Sequence, residues 1–212
     1  MNLLLEHGAD IQAEDHHQNT PLHWAADKGK SAAAQLLVEN GASVHARSHV
    51  GWTPLHDASC NGSPDIIGLL LEHGAEIQAT DHHMNTSLHW AADKGKFAAA
   101  QLLVERGASL DARSHVGWTP LHDASRTGTP DIIKLFLDHK ADADAQSSSS
   151  DTPLHFAVAR KDLEATRLLL THGANALAQN NARRTPLQLA LEKGDQEIID
   201  LLSAYVRSGR KM

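Results

Sequence analysis

Short apolar stretches with the spacing of amphipathic helices recur along the chain, separated by polar segments. In the first complete unit, Thr20 suits an N-cap and Pro21 suits the first helical position, so the pattern predicts a helix over residues 22–28. Gly29 follows directly and predicts the end of this helix. A helix this short needs a partner to bury its apolar side.

A second helix is predicted directly after the first, over residues 31–40. Its apolar residues share one face: Ala33, Ala34, Leu37 and Val38. Gly41 suits the left-handed C-cap of this helix, and residues 42–52 are predicted to form an extended excursion before the next cap. Because two short helices cannot bury a core alone, the pattern predicts a stack in which each pair packs on its neighbours.

The unit recurs with a fixed period of 33 residues. A Thr-x-Leu-His signature, in which x is Pro or Ser and the last unit has Gln for His, begins at Thr20, Thr53, Thr86, Thr119, Thr152 and Thr185. A Gly-Ala pair follows the second helices at Gly8, Gly41, Gly74, Gly107 and Gly173. Two landmarks in fixed phase identify a repeat array.

The period, the signature and the Gly-Ala pair resemble the ankyrin family, and the resemblance covers essentially the whole chain. It implies an all-α ankyrin-repeat solenoid of stacked helix-turn-helix units with β-hairpin fingers. It also implies that the fingers and first helices line a concave recognition face. We therefore expect one ankyrin-repeat domain over residues 1–212, with a partial repeat at residues 1–13 and a polar tail at residues 207–212.

A longer period is superimposed on the short one. Residues 12–77 match residues 78–143 at 50 of 66 positions, so the duplicated unit was a pair of repeats. The exposed surface is therefore expected to alternate between two types of repeat.

The resemblance places partner contacts at the finger tips and late in the first helices. The predicted partner-binding residues are His16, His17, His49, Trp52, His82, His83, His115 and Trp118 at the tips, and Asp27, Lys28, Asp93, Lys94 and Arg126 on the helices. A ring at a finger tip has little core to fill, so Trp52 and Trp118 are candidate anchors. The alternative is that each packs on its neighbouring finger. Trp24 and Trp90 are expected to pack partly between first helices.

Most of the sixteen histidines have a structural interpretation. The resemblance assigns the signature histidines to hydrogen bonds that tie adjacent units together: His23, His56, His89, His122 and His155. Another group lies at the ends of second helices, where a cation suits the helix dipole: His7, His73, His139 and His172.

The finger-tip histidines are expected to form a ladder, with His16, His49, His82 and His115 at equivalent positions. Neighbouring fingers are too far apart to share one ion, because its ligand nitrogens must lie about 2.1 Å from it. We therefore expect no metal and no other cofactor. A dependence of partner affinity on pH stays open, because histidine titrates near neutrality.

The fifth repeat departs from the pattern at its start. Lys140 stands where other units have Gly, which costs roughly 1 kcal/mol if the turn stays left-handed. Serines 147–150 replace a Gly-containing finger tip, so residues 139–151 are predicted to be the most mobile internal segment. Gln188, which replaces the last signature His, is expected to keep part of its hydrogen bonding.

Composition narrows the function. The net charge of −7 lacks the basic character that nucleic-acid binding usually needs. A single cysteine, Cys60, allows no disulfide within the chain and suits a reducing compartment. The first residues have only three consecutive leucines and no basic region, and no stretch approaches the roughly 18 apolar residues that span a bilayer, so we expect neither a signal peptide nor a membrane span. We expect a cytoplasmic or nuclear monomer that binds neither nucleic acid nor membrane.

No catalytic motif stands out. Cys60 lies one helical turn after His56, which could form a thiol–imidazole pair, but the resemblance assigns His56 to the fold. Asp57 and Asp123 lie two repeats apart, too far for paired acid–base chemistry. The sequence therefore predicts a non-enzymatic protein–protein interaction module, an adaptor or scaffold. The alternative is a structural repeat segment of a larger multidomain protein whose activity lies elsewhere.

Overall fold

The structure of the chain, a computed structural model, describes residues 7–207. Within these residues the chain forms twelve α-helices and one isolated antiparallel bridge, between Thr80 and Thr86. The all-α fold is therefore confirmed. The chain divides into two compact units, one that ends at Ser109 and one that begins at Leu110.

Over residues 7–109, the described part of the first unit, there are three helix pairs. These are α1 (Pro21–Asp27) with α2 (Ser31–Glu39), α3 (Pro54–Asn61) with α4 (Pro64–Glu72), and α5 (Ser87–Asp93) with α6 (Phe97–Glu105). The first helices α1, α3 and α5 pack side by side, and the second helices α2, α4 and α6 form a parallel row behind them.

The second unit repeats this arrangement. Its pairs are α7 (Pro120–Thr127) with α8 (Pro130–Asp138), α9 (Pro153–Ala159) with α10 (Leu163–Thr171), and α11 (Pro186–Lys193) with α12 (Gln196–Arg207). Again the first helices form one row and the second helices another. No helix within residues 7–207 is both long and apolar enough to cross a bilayer. Residues 1–6 of the predicted partial repeat and residues 208–212 of the predicted tail lie outside the described residues.

Leucines from the signature sit at the centre of each row. Leu22, Leu55 and Leu88 in the first unit are almost fully buried, and the second helices add Ile66 and Leu103. Full burial of such a side chain stabilises the fold by about 1.5–3 kcal/mol. Within each unit, a pair buries its apolar side against the next pair, which is why the repeats fold as an array.

The signature histidines join consecutive repeats. The backbone N–H and the hydroxyl of Thr20 both lie within hydrogen-bond distance of Nδ1 of His23, at 3.1 and 2.9 Å. Nδ1 therefore accepts, and Nε2 carries the proton and donates to the carbonyl of Trp52 in the next repeat at 3.1 Å. Burial lowers the pKa of His23, which favours this neutral form.

The same network recurs along the chain. His56 donates to the carbonyl of Asn85, and burial lowers its pKa to about 4. His122 and His155 reach the carbonyls of Asp151 and Arg184. The structural role predicted for these histidines agrees with this geometry. Gln188 keeps one part of it, because its Oε1 accepts from the N–H of Thr185 at 2.8 Å.

The helix ends follow the predicted capping pattern. Gly41 has a φ of +89°, and the left-handed turn lets its N–H donate to the carbonyl of Val38 at 3.0 Å. Lys140 adopts the same turn with a φ of +70° and the equivalent bond to Leu137 at 3.0 Å. The turn is thus retained despite the side chain. The mobility of residues 139–151 stays a prediction.

Within residues 7–207, the fingers are short hairpin-like turns with almost no strand pairing. Each is a tight backbone turn, such as the one closed by the N–H of Ser48 donating to the carbonyl of Trp52 at 2.8 Å. The legs are too short to form a ladder, and side chains satisfy part of the backbone instead. One guanidinium nitrogen of Arg47 donates to the carbonyls of Gly51 and Thr80, at 3.2 and 2.8 Å. Arg47 thus braces two consecutive fingers.

Candidate partner-binding face

The finger-tip histidines are exposed, as expected for contact residues: His16, His17, His49, His82, His83 and His115. The ring that stacks on His49 is that of His17, at 4.9 Å between centroids, rather than that of His16 at the equivalent position. The backbone explains this offset, because the N–H of His49 donates to the carbonyl of His17 at 2.9 Å. The stacked pair thus joins two positions that are not equivalent, and the ladder of equivalent histidines stays a prediction.

Trp52 and Trp118 are half-buried and do not protrude as free anchors. The ring of Trp52 lies 4.7 Å from that of Trp90 on α5, and the ring of Trp118 lies 4.8 Å from that of Phe156 on α9. Each therefore packs on the first helix of the next repeat. The exposed parts of these two rings belong to the candidate partner-binding face.

The other two tryptophans lie on the first helices. Trp24 is 46% exposed, more than expected for a ring between helices, whereas Trp90 is half-buried beneath Trp52. The ammonium groups of Lys28 and Lys94 lie 5.4 and 5.5 Å from these two ring centroids. These distances suit cation–π contact.

Asp15, which the sequence reasoning did not single out, organises the first finger. Its carboxylate accepts from the backbone N–H groups of His17 and Asn19 and from the indole of Trp24. Burial opposes ionisation, but these hydrogen bonds outweigh it and lower the pKa of Asp15 to about 2. Asp81 repeats these contacts in the third finger. The available signal was that both copies of the duplication place an aspartate five residues before the signature Thr.

The charged residues predicted on α1 and α5 largely neutralise each other. Lys28 lies 2.8 Å from Asp27, and Lys94 lies 2.8 Å from Asp93. Both lysines are exposed and both aspartates are half-buried. Such exposed pairs contribute little to stability, so they remain able to exchange partners.

A cleft opens between the first two finger tips and α3. It has a volume of about 260 Å³ and is lined by His17, Asn19, Ser48, His49, Val50, Trp52 and Asp57. A smaller depression of about 80 Å³ adjoins it. Asp57 and Asn19 line both cavities, and the depression is also lined by His23, Trp24 and Asp27. We call the two together the Asp57 cleft.

Asp57 is the chemical outlier of this cleft. It is only 8% exposed, and its Oδ2 has no hydrogen-bond partner. Burial, together with the negative charge of Asp27, raises the pKa of Asp57 to about 8. The sequence contains a weak signal, a carboxylate directly after the signature His, but this signal could not show that the carboxylate lies buried without a partner.

Asp123, which corresponds to Asp57 in the duplicated pair of repeats, has different surroundings. Arg126, predicted as a contact residue, lies on α7 with a guanidinium nitrogen 3.9 Å from Asp123. The same guanidinium lies 5.5 Å from the ring centroid of Trp118. Cys60 occupies the matching position on α3, so no cation of α3 stands between Trp52 and Asp57.

The metal site and the thiol–imidazole pair considered from the sequence are not formed among residues 7–207. Among residues 7–207, no three His, Cys, Asp or Glu side chains are placed to hold a metal ion. Burial raises the pKa of the Cys60 thiol, which disfavours the reactive thiolate. Both ring nitrogens of His56 are engaged, with Thr53 and with the carbonyl of Asn85. The thiol–imidazole alternative finds no support in this geometry.

Pairs of short antiparallel helices, joined by fingers and tied by buried histidines, define the repeat-array class of protein-interaction domains. A sequence profile described as ankyrin repeats (3 copies) matches residues 1–81, 79–147 and 128–210. The chain therefore belongs to the ankyrin-repeat family, whose domains are in general non-catalytic modules that bind proteins.

Many solved structures are similar to this chain. The ankyrin repeat domain of human ASB11 superposes with a TM-score of 0.87 and 30% sequence identity, covering 93% of this chain and 90% of that one. No curated protein sequence matches the chain. The ankyrin-repeat solenoid fold is thus confirmed.

Proposed function

We propose that this chain is a non-enzymatic adaptor or scaffold that binds a protein partner through its finger tips and first helices. The observation that carries the proposal is exposed apolar surface beside the tip histidines. Val50, Met84 and Val116 at the tips and Trp24 on α1 are all exposed, and the core does not use them. Apolar surface rimmed by polar groups is typical of protein-binding sites.

The charge and the surroundings of the tips support the same proposal. With a net charge of −7, the chain is poorly suited to polyanions such as nucleic acids. The mixed-sign pairs on α1 and α5 suit a partner surface that carries both charges. We further propose that the chain acts as a monomer in the cytoplasm or nucleus.

The test is quantitative affinity capture with variants of the proposed face and of the opposite side. The face variant is Val50→Ser with Val116→Ser. The matched control is Gln35→Ala with Gln101→Ala, which changes exposed residues on the second helices α2 and α6. All variants are first checked for unchanged helical content and thermal midpoint.

We expect proteins captured by the wild-type chain to be depleted at least about tenfold by the face variant, which corresponds to about 1.4 kcal/mol, and retained by the control. Capture that survives the face variant and fails with the control would place binding on the second helices. Capture of the same proteins by both variants would mean that the proposed face is wrong, whereas no specific capture by the wild-type chain would favour a structural segment of a larger protein.

A further inference from the structure

The Asp57 cleft has an acidic floor and an aromatic wall. Asp57 supplies a buried carboxyl oxygen without a partner, and Trp52 lines the same space. Asp27 adds a second carboxylate in the adjoining depression. A group that fits must therefore satisfy a buried carboxyl and also lie against an indole.

The second unit shows which group meets both demands. Arg126 lies between the equivalents of these two residues, 3.9 Å from Asp123 and 5.5 Å from the ring centroid of Trp118. The duplication makes the two sites comparable position by position, because Trp52, Asp57 and Cys60 correspond to Trp118, Asp123 and Arg126. The Asp57 cleft thus differs from the site in the second unit because α3 has Cys60 where α7 has Arg126.

We propose that the Asp57 cleft binds an arginine side chain of the protein partner, which takes the place that Arg126 holds in the second unit. This inference rests on the proposed protein-binding function and specifies the chemistry of its partner. The inference names the chemical group that the partner would place in the cleft, a guanidinium.

Arginine fits this cleft better than lysine does. Its planar guanidinium stacks on an aromatic face and presents two parallel N–H donors to one carboxylate. A lysine ammonium is a compact, strongly hydrated charge that cannot do both at once. Asp27 strengthens the preference for a cation, although Lys28 already lies 2.8 Å from it.

Binding is coupled to loss of a proton. Burial raises the pKa of Asp57 to about 8, so the carboxyl is largely neutral at pH 7, and a guanidinium beside it restores the charge. Affinity should therefore increase as the pH rises toward 8. Other titratable or charged groups face this region from the finger tips, α1, α3 and α5: His17, His49, His23, Asp27, Cys60, Asp93 and Lys94.

The experiment uses the full chain, labelled with ¹⁵N, and three capped pentapeptides as probes. Each peptide is acetyl-Gly-Gly-X-Gly-Gly-amide, where X is arginine, lysine or citrulline. Citrulline keeps the shape of arginine and lacks its charge. Chemical shifts of the Trp52 indole and the Ser48 and His49 amides report binding.

Four variants separate the groups involved. Cys60→Arg places an arginine at the position of Arg126, and because α7 accommodates that residue, the variant is compatible with the helix. Cys60→Ser is its control. Asp57→Asn removes the charge from the cleft, and Asp123→Asn is the matched change in the second unit.

We expect saturable shifts with the arginine peptide, at least about threefold weaker binding of the lysine peptide, and no saturable shifts with the citrulline peptide. Cys60→Arg and Asp57→Asn should weaken binding of the arginine peptide at least about tenfold. Cys60→Ser and Asp123→Asn should bind as the wild type does. Binding should tighten between pH 6.5 and pH 8 in the wild type and not in Asp57→Asn.

Three results would overturn the inference: no saturable binding of the arginine peptide, equal binding of citrulline, or undiminished binding by both Cys60→Arg and Asp57→Asn. Affinity capture distinguishes these failures from failure of the proposed function. If Val50→Ser with Val116→Ser loses the captured proteins while Cys60→Arg keeps them, the binding face stands and the arginine contact is wrong. If neither loses them, the face itself is wrong.

Discussion

Replacing Asp57 by asparagine should change how stability depends on pH. The pKa of this carboxyl is about 8 in the folded chain and 3.8 in a solvated reference. Between these values the folded chain holds a proton that the unfolded chain has released. The contribution of Asp57 to stability is thus complete below pH 3.8 and is lost progressively as the pH rises to about 8. The substituted amide does not titrate, so the variant lacks this loss.

The size of the effect follows from a one-proton difference. Each pH unit inside the window lowers the free energy of unfolding of the wild type by about 1.4 kcal/mol. From pH 5 to pH 7, two pH units at this rate, the loss is about 3 kcal/mol. Asp57 is only 8% exposed, so water screens the effect little. The signature histidines contribute the opposite slope, since burial lowers their pKa values, but they are present in both proteins and cancel in the difference.

The assay is urea unfolding of the wild type and Asp57→Asn at half-unit steps from pH 5 to pH 9, followed by circular dichroism. The stability of the variant relative to the wild type should increase by about 3 kcal/mol from pH 5 to pH 7 and level off above pH 8. The control Asp65→Asn changes an exposed aspartate on α4 and should run parallel to the wild type. Parallel curves for Asp57→Asn and the wild type would refute the assignment of a buried, protonated carboxyl.

Further predictions concern the backbone. Lys140→Gly should raise the free energy of unfolding by about 1 kcal/mol in urea titrations, because the lysine has a φ of +70°. Gly51→Ala should cost more than Gly41→Ala, because a methyl group at Gly51 would lie 3.0 Å from the backbone nitrogen of His82, whereas nothing lies within 4 Å at Gly41. Equal losses would contradict that reasoning. Residues 139–151 should show the fastest amide hydrogen exchange of any internal junction.

The periodic features of the fold could be predicted from the sequence, because they depend on local chemistry that every repeat shares. Thr20 and Pro21 start a helix and Gly41 ends one whatever surrounds them, and the observed helices agree within a residue or two. The finger-to-helix contacts depend on how far one repeat is displaced over the next. For that reason the sequence did not show that Trp52 packs on Trp90, or that His49 stacks on His17.

The candidate site was harder to predict because its distinguishing feature is a missing partner. Asp57 and Asp123 follow the signature His in identical sequence, and their difference arises one turn later, where the residue is Cys60 in one copy and Arg126 in the other. A sequence comparison registers this as an ordinary surface substitution. Only the position of Arg126, between a carboxylate and an indole, shows what its absence leaves unsatisfied.

The position of Trp52 determines which variant can test the cleft. Its ring lies 4.7 Å from that of Trp90, so Trp52→Ala would leave a cavity between two repeats. Truncating a large aromatic side chain in such a setting costs up to about 3–5 kcal/mol, so lost binding would not be separable from lost folding. Trp52→Phe keeps an aromatic ring against Trp90 and offers the guanidinium a weaker π face. It should leave the thermal midpoint within a few degrees of the wild type while weakening the arginine peptide severalfold, and unchanged affinity would exclude the indole from the site.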